Sequence, residues 1–204
     1  MKKLPNQPSE RSLVLHPYNI FLVLTLAGIT VLFLAFSAAF VYSRVASGMP
    51  PISLPVIFYF NTLILVGSSL TMRWAKQCYL NDNTEKYQLA LISTIVLTLI
   101  FMVCQYFGWR DLFNQELFID TNNSTSYLYL ISGMHFAHVI AGLPFLVLFL
   151  ITARRKMKEP VSVLVYFSDP LKRLKLRLLT MYWHFLDILW IYLVLFFFVN
   201  DMIN

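Results

Sequence analysis

Apolar side chains in this chain are gathered into five long runs, at about residues 20–42, 54–73, 88–108, 127–152 and 178–200. As an α-helix, about 20 residues at roughly 1.5 Å each cross the hydrocarbon layer of a bilayer, so each run predicts a membrane-spanning helix. Pro17 stands just ahead of the first run. Ser53 and Pro55 open the second, a capping hydroxyl and a proline suited to a first helical turn. Gly48-Met49-Pro50-Pro51 and Asn81-Asp82-Asn83 carry the turn-forming residues of connectors. No internal repeat or low-complexity segment interrupts the pattern. The expectation is an all-α membrane protein, a bundle of five transmembrane helices occupying residues 19–204 behind a tail at residues 1–18.

The cations give the bundle a direction. Lys2, Lys3 and Arg11 lie in the tail and Arg44 in the first connector; Arg73, Lys76 and Lys86 lie in the second and Arg110 in the third. Eight more, Arg154, Arg155, Lys156, Lys158, Lys172, Arg173, Lys175 and Arg177, fill the fourth connector, and the carboxyl end has none. Alternate segments therefore carry fourteen against two. The positive-inside rule then predicts a cytoplasmic N-terminus and an external C-terminus. Composition agrees with lipid as the solvent: 58% of residues are hydrophobic and 13% charged, against about 25% charged in soluble domains. The net charge of +6 sits in membrane-flanking connectors, so it is no nucleic-acid signal. The first apolar run is too long for the core of a cleavable signal peptide and reads as a retained helix. Cys78 and Cys104 have neither metal-type nor redox-type spacing, and the topology puts them near opposite faces.

Polar residues inside the runs are the candidates for function. Asp187, in the fifth run, is three residues past His184 and three before Trp190, so all three share a helical face. A carboxylate at that depth costs about 2.5–3.5 kcal/mol or more unless it is paired or wetted. Two readings follow: a proton-relay or partner-contacting carboxylate, or a His184–Asp187 hydrogen bond that locks packing, the latter preferred. In the fourth run His135, His138 and Gly142 share one face, and Gly133, Ala137 and Ala141 line another that would let a second helix approach closely. Chemistry specified on two sides suggests a helix enclosed by protein on both, and Pro144 should bend it. Three membrane histidines invite haem or copper. However, His138 and His184 differ in depth by about 15 Å at 1.5 Å per residue, and no other run offers a histidine, so no metal, haem or catalytic site is expected in this chain. Leu171 to Leu178 alternates leucines with cations, among them Lys175 and Arg177; this reads as an interfacial segment meeting anionic headgroups or as an anchor alone.

The same residues carry a family resemblance. Tyr182-Trp183-His184-Phe185-Leu186-Asp187-Ile188-Leu189-Trp190 resembles the Tyr-Trp-His-Phe-x-Asp-x-x-Trp segment of cytochrome c oxidase subunit III and its quinol-oxidase relatives. Gly133 to Gly142 is similar to the family's Gly-x-His-x-x-His-Val-x-x-Gly. Asn61-Thr62 with Ser68-Ser69-x-Thr71, and Gln105 with Trp109 and Leu112, are similar to two further family patterns. The resemblance covers four helices in order. It implies the five-helix bacterial form, without the first two helices of the seven-helix form. It further implies a non-catalytic subunit that packs on subunit I, holds phospholipid in a cleft, and sustains proton uptake while haem and copper in partner subunits reduce O₂. Two departures stand out. Many members have a membrane glutamate near Thr30, and many read Gln-x-x-Glu-Trp where this chain has Gly108, so no role of those carboxylates carries over.

The leading reading is therefore subunit III of a haem-copper terminal oxidase in aerobic respiration, in the bacterial inner membrane, with cytochrome c as donor and a quinol oxidase as the alternative. A stand-alone transporter would call for a broken helix or an inverted repeat, and the sequence has neither. His135, His138, His184, Asp187 and Trp190 then become packing or subunit-contact residues, and Lys175 and Arg177 candidate headgroup ligands.

Overall fold

The computed structural model describes residues 17–48, 54–119, 121–157 and 159–203. Residues 1–16 of the tail expected at 1–18 and the Ser53 cap lie outside them, and Pro17 and Tyr18 already belong to the first helix. Among the described residues the chain forms six helices: α1 (Pro17–Ser47), α2 (Val56–Leu80), α3 (Thr84–Asn114), α4 (Asn123–Lys156), α5 (Pro160–Ser168) and α6 (Pro170–Met202). All but α5 are long and apolar enough to cross a membrane. The spanning helices run beyond the apolar runs because their polar ends stay helical outside the hydrocarbon. The fourth connector is consequently mostly helix: α4 extends to Lys156, α5 fills the middle, and Leu171–Leu178 is the first part of α6.

Local chemistry accounts for the helix ends. Asn83 caps α3 by accepting from the Lys86 N–H at 3.1 Å, and Asn122 caps α4 through the Thr125 N–H at 2.7 Å. Asp169 caps α6, accepting from the Leu171 N–H at 3.0 Å and pairing with Lys172 at 3.4 Å. Slight burial of the Asp169 carboxyl works to raise its pKa, but the Leu171 N–H and Lys172 outweigh it and hold the group below the ordinary carboxylate range. α4 is continuous through Pro144.

Hydrogen bonds between helix ends fix the packing. Arg177 donates to Asn19 Oδ1 at 3.2 Å, joining the starts of α1 and α6. At their far ends, Arg44 donates to the carbonyl oxygens of Asn200 and, at 2.5 Å, Ile203. α1 and α6 are therefore parallel neighbours, and the Arg44 guanidinium covers the last carbonyls of α6, where the helix dipole favours a cation. Ser43 and Tyr127 are within hydrogen-bonding distance, 3.3 Å, which sets α4 antiparallel to α1. α2 and α3 form the most extensive helix pair, with α6 packed on α2 and α4 on α3.

Two glycines let helices close. A Cβ on Gly142 of α4 would stand 2.8 Å from Tyr182 Cε1 and 3.0 Å from Trp183 Cζ3 of α6. At Gly108 of α3 it would stand 2.8 Å from Ile57 Cγ2 of α2. Gly108, a departure from the resembled pattern, is thus a point of close α2–α3 contact. Gly133, by contrast, has open space around it, and Ala137 and Ala141 are exposed. Within this chain α4 is therefore enclosed on one side only: its small-residue face looks outward, and α1, α3 and α6 cover the other flanks.

Two outcomes follow. Gly142→Ala lowers stability by about 1–3 kcal/mol through overpacking against two aromatic rings, whereas Gly133→Ala is close to neutral, as read by thermal unfolding in mild detergent. Acidification loosens the start of α6: the Asp169 contribution is full above the carboxyl's unfolded pKa and is lost as pH falls through its lower folded value. Asp169→Asn removes that pH dependence from amide exchange at Leu171 and Lys172.

Candidate functional site

Lipid offers polar groups no partner, so each side chain that turns inward must find one on another helix or on its own backbone. The indole donors of α6 stand two turns apart and meet hydroxyls of α2. Trp183 Nε1 donates to Ser68 Oγ at 3.0 Å, and Trp190 Nε1 donates to Thr62 Oγ1 at 3.2 Å. Between them His184 Nδ1 lies 2.7 Å from Ser69 Oγ. α3 joins the same lattice: Asn61 Nδ2 donates to Gln105 Oε1 at 2.9 Å, Thr71 and Thr94 hydroxyls lie 2.9 Å apart, and Trp109 Nε1 donates to Ser132 Oγ of α4 at 3.0 Å.

The expected histidine–aspartate lock is not formed. His184 Nδ1 and Asp187 Oδ2 are 4.0 Å apart, beyond hydrogen-bond range. Three residues of helix bring the two onto one face, but the imidazole reaches across to Ser69 of α2 while the shorter carboxyl stays against the core. Asp187 is buried, and its Oδ2 finds no hydrogen-bond partner among the described residues. Arg73 and Lys76, near the end of α2, stand within electrostatic reach of the His184 ring.

The other singled-out residues separate. His135 is fully buried, its ring 5.0 Å from that of Trp190 and 6.0 Å edge-on from Phe101. Trp190 in turn stacks on Phe58 at 5.6 Å. His138 is only half-buried: its Nδ1–H donates to the Met134 carbonyl at 2.7 Å, and its ring meets Phe33 of α1 edge-on at 6.0 Å. The His138 carbonyl accepts from Tyr182 OH at 2.9 Å, at the level where Gly142 admits α6. Each histidine has its own neighbours, and among the described residues no three His, Cys, Asp or Glu side chains gather as a metal-ligand set.

The basic end of the bundle holds a groove of about 710 Å³ between α1, α4 and α6, walled by Phe21, Leu22, Phe145 and Leu148 and edged by Lys172 and Lys175. Lys172 sits 4.2 Å over the Tyr166 ring of α5, and Lys175 sits 5.7 Å over Tyr18. Of the two expected headgroup residues, Lys175 therefore borders the groove, and Arg177 is engaged with Asn19. Lys172 lies in the Leu171–Leu178 segment expected to meet headgroups, whereas no pattern in the sequence singles out Tyr166. The α2 hydroxyls Thr62, Ser68 and Ser69 stand out in the sequence only as part of a pattern; which of them meets Trp183, His184 or Trp190 is set by the packing of α2 on α6.

A family model described as cytochrome c oxidase subunit III matches residues 12–201. The chain is 29% identical over 143 residues to cytochrome c oxidase subunit 3 of Papio hamadryas, covering 70% of this chain and 49% of that protein. It is 27% identical over 143 residues to the Spodoptera frugiperda protein of the same name, covering 70% of this chain and 86% of that one. With that of Alkalihalophilus pseudofirmus it shares 25% identity over 197 residues, covering 94% of this chain and 91% of that protein. The match thus spans about half the length of the Papio hamadryas protein and nearly all of the bacterial one.

Removing one partner of an indole clasp leaves a donor unpaired in the membrane interior. Ser68→Ala is expected to cost about 1 kcal/mol, and Ser68→Ala with Trp183→Phe less than the sum of the two single changes, as measured by a double-mutant cycle of thermal unfolding in detergent.

Proposed function

The chain belongs to the cytochrome c oxidase subunit III family, and from that membership we propose that it is the non-catalytic third subunit of a haem-copper terminal oxidase. The observation that carries this reading is the match over residues 12–201, in which the quoted segments of four helices meet as one interhelical lattice. The donor in this proposal is cytochrome c. Haem and copper reside in partner subunits, where O₂ is reduced. The basic end of the bundle faces the cytoplasm and the carboxyl end faces outward, as the cation count supports, and the membrane is the bacterial inner membrane.

Three contributions to the complex fit the geometry. The outward-looking face of α4, with Gly133, Ala137 and Ala141, offers a close-packing surface for a neighbouring subunit such as subunit I. The groove at the basic end suits phospholipid, with acyl chain against its apolar walls and an anionic headgroup at Lys172 and Lys175. Asp187, Ser69 and His184, with Arg73 and Lys76 within electrostatic reach, form a polar cluster toward the basic end of the bundle. In this proposal the cluster takes part in sustained proton uptake, with no acid at Thr30 or Gly108.

Purification of the tagged chain in mild detergent tests the assignment. A haem-rich complex with a reduced-minus-oxidised spectrum and oxygen uptake is expected; a colourless monomer that transports a solute after reconstitution would overturn it. Asp187→Ala is expected to lower occupancy of this chain in the complex while oxygen reduction by the remaining subunits persists. Full occupancy with unchanged thermal stability would count against a packing role for Asp187. Lys172→Gln with Lys175→Gln should reduce the phospholipid retained per complex, counted by native mass spectrometry.

A further inference from the structure

The polar lattice is unfinished at one level. Asn61 and Gln105 spend one donor and one acceptor on each other, leaving Asn61 Oδ1 and Gln105 Nε2 with no partner among the described residues. Both nitrogens of His135 are in the same condition. All three side chains are completely buried. The Trp109–Ser132 bond sets the register of α3 against α4. Gln105, one turn before Trp109, therefore lies level with His135, three residues past Ser132. Asn61 is brought to that level by its bond to Gln105. Around them Phe58, Phe101 and Trp190 close the site with aromatic rings, Phe101 and Trp190 in edge contact at 5.2 Å.

The four atoms are balanced. Neutral imidazole supplies one donor and one acceptor, so with Gln105 Nε2 and Asn61 Oδ1 the site presents two of each. Turning both amides over leaves the same balance. Each unmet group costs about 1–3 kcal/mol when buried, and lipid cannot supply a substitute. Internal water can, since a buried water typically makes about three hydrogen bonds.

We propose that Asn61, Gln105 and His135 form an internal water-binding site that ties α2, α3 and α4 together behind Trp190. The two ring nitrogens point away from each other, so the ligand is a short file of waters rather than one molecule, running from the amide pair to the imidazole. His135 stays neutral in it, because its role needs one acceptor nitrogen and one donor nitrogen. The site requires no haem, metal or partner subunit and stands apart from the oxidase assignment.

A cryo-EM map of the intact purified assembly, sharp enough to resolve ordered water, is expected to show density within hydrogen-bond distance of a His135 nitrogen and of Asn61 Oδ1 or Gln105 Nε2. A direct side-chain bond from His135 to either amide, with no density between, would overturn the proposal. Thermal unfolding gives the second arm. His135→Phe alone and Asn61→Leu with Gln105→Met should each lower the unfolding midpoint by stranding the remaining polar atoms. The triple variant should lie closer to wild type than the two losses added together, because nothing polar is then left unpaired. Strictly additive losses would mean that the residues share no water and would sink the idea.

Discussion

Hydrogen bonding between helices at lipid depth is the constraint on which the rest of this protein depends. Apolar surface gives little reason for helices to associate when lipid tails are equally apolar. What holds α2 to α6 is a pair of indole N–H groups, on Trp183 and Trp190, seated on Ser68 and Thr62. Once those are made, α6 presents His184 to Ser69 and carries Asp187 into the core beside them. Asn61–Gln105 and Trp109–Ser132 extend the same logic to α3 and α4. Each clasp is worth little alone, yet together they set register, which packing of similar aliphatic surfaces leaves loosely determined.

Small residues do complementary work. Gly142 allows Tyr182 and Trp183 against α4, and Gly108 allows Ile57 and Phe58 against α3. Gly108 and Thr30 bring no charge into the bundle. At Gly108 the space is taken by neighbouring side chains. Near the other position Thr30 is exposed, its hydroxyl returned to the Leu26 carbonyl of its own helix at 2.8 Å. Neither place carries a charge, whereas Asp187 of α6 brings a carboxyl into the core.

The histidines illustrate how depth and neighbours separate residues that spacing alone groups together. His135 and His138 are one turn apart, but one is sealed among Phe101 and Trp190 while the other faces Phe33 of α1. His184 shares a face with Asp187 and still bonds elsewhere, because a partner on α2 is nearer its ring than the carboxyl on its own helix.

Apolar run length alone determined five spanning helices, because the thickness of hydrocarbon fixes how many residues a helix needs to cross it. The order of polar motifs along those runs was equally legible, and with it the family. Tertiary structure alone decided which polar atoms meet. That Ser69 rather than Asp187 takes His184, that Arg177 turns to Asn19 while Lys172 and Lys175 edge a groove, and that Gly133 looks outward depend on the rotation and register of one helix against another. So does the short α5, whose nine residues are too few to read as a span and which packs Tyr166 and Phe167 against Tyr79. Periodicity assigns a residue to a face of its own helix, but the helix facing it, and so the partner, is chosen by long-range contacts that no local pattern encodes.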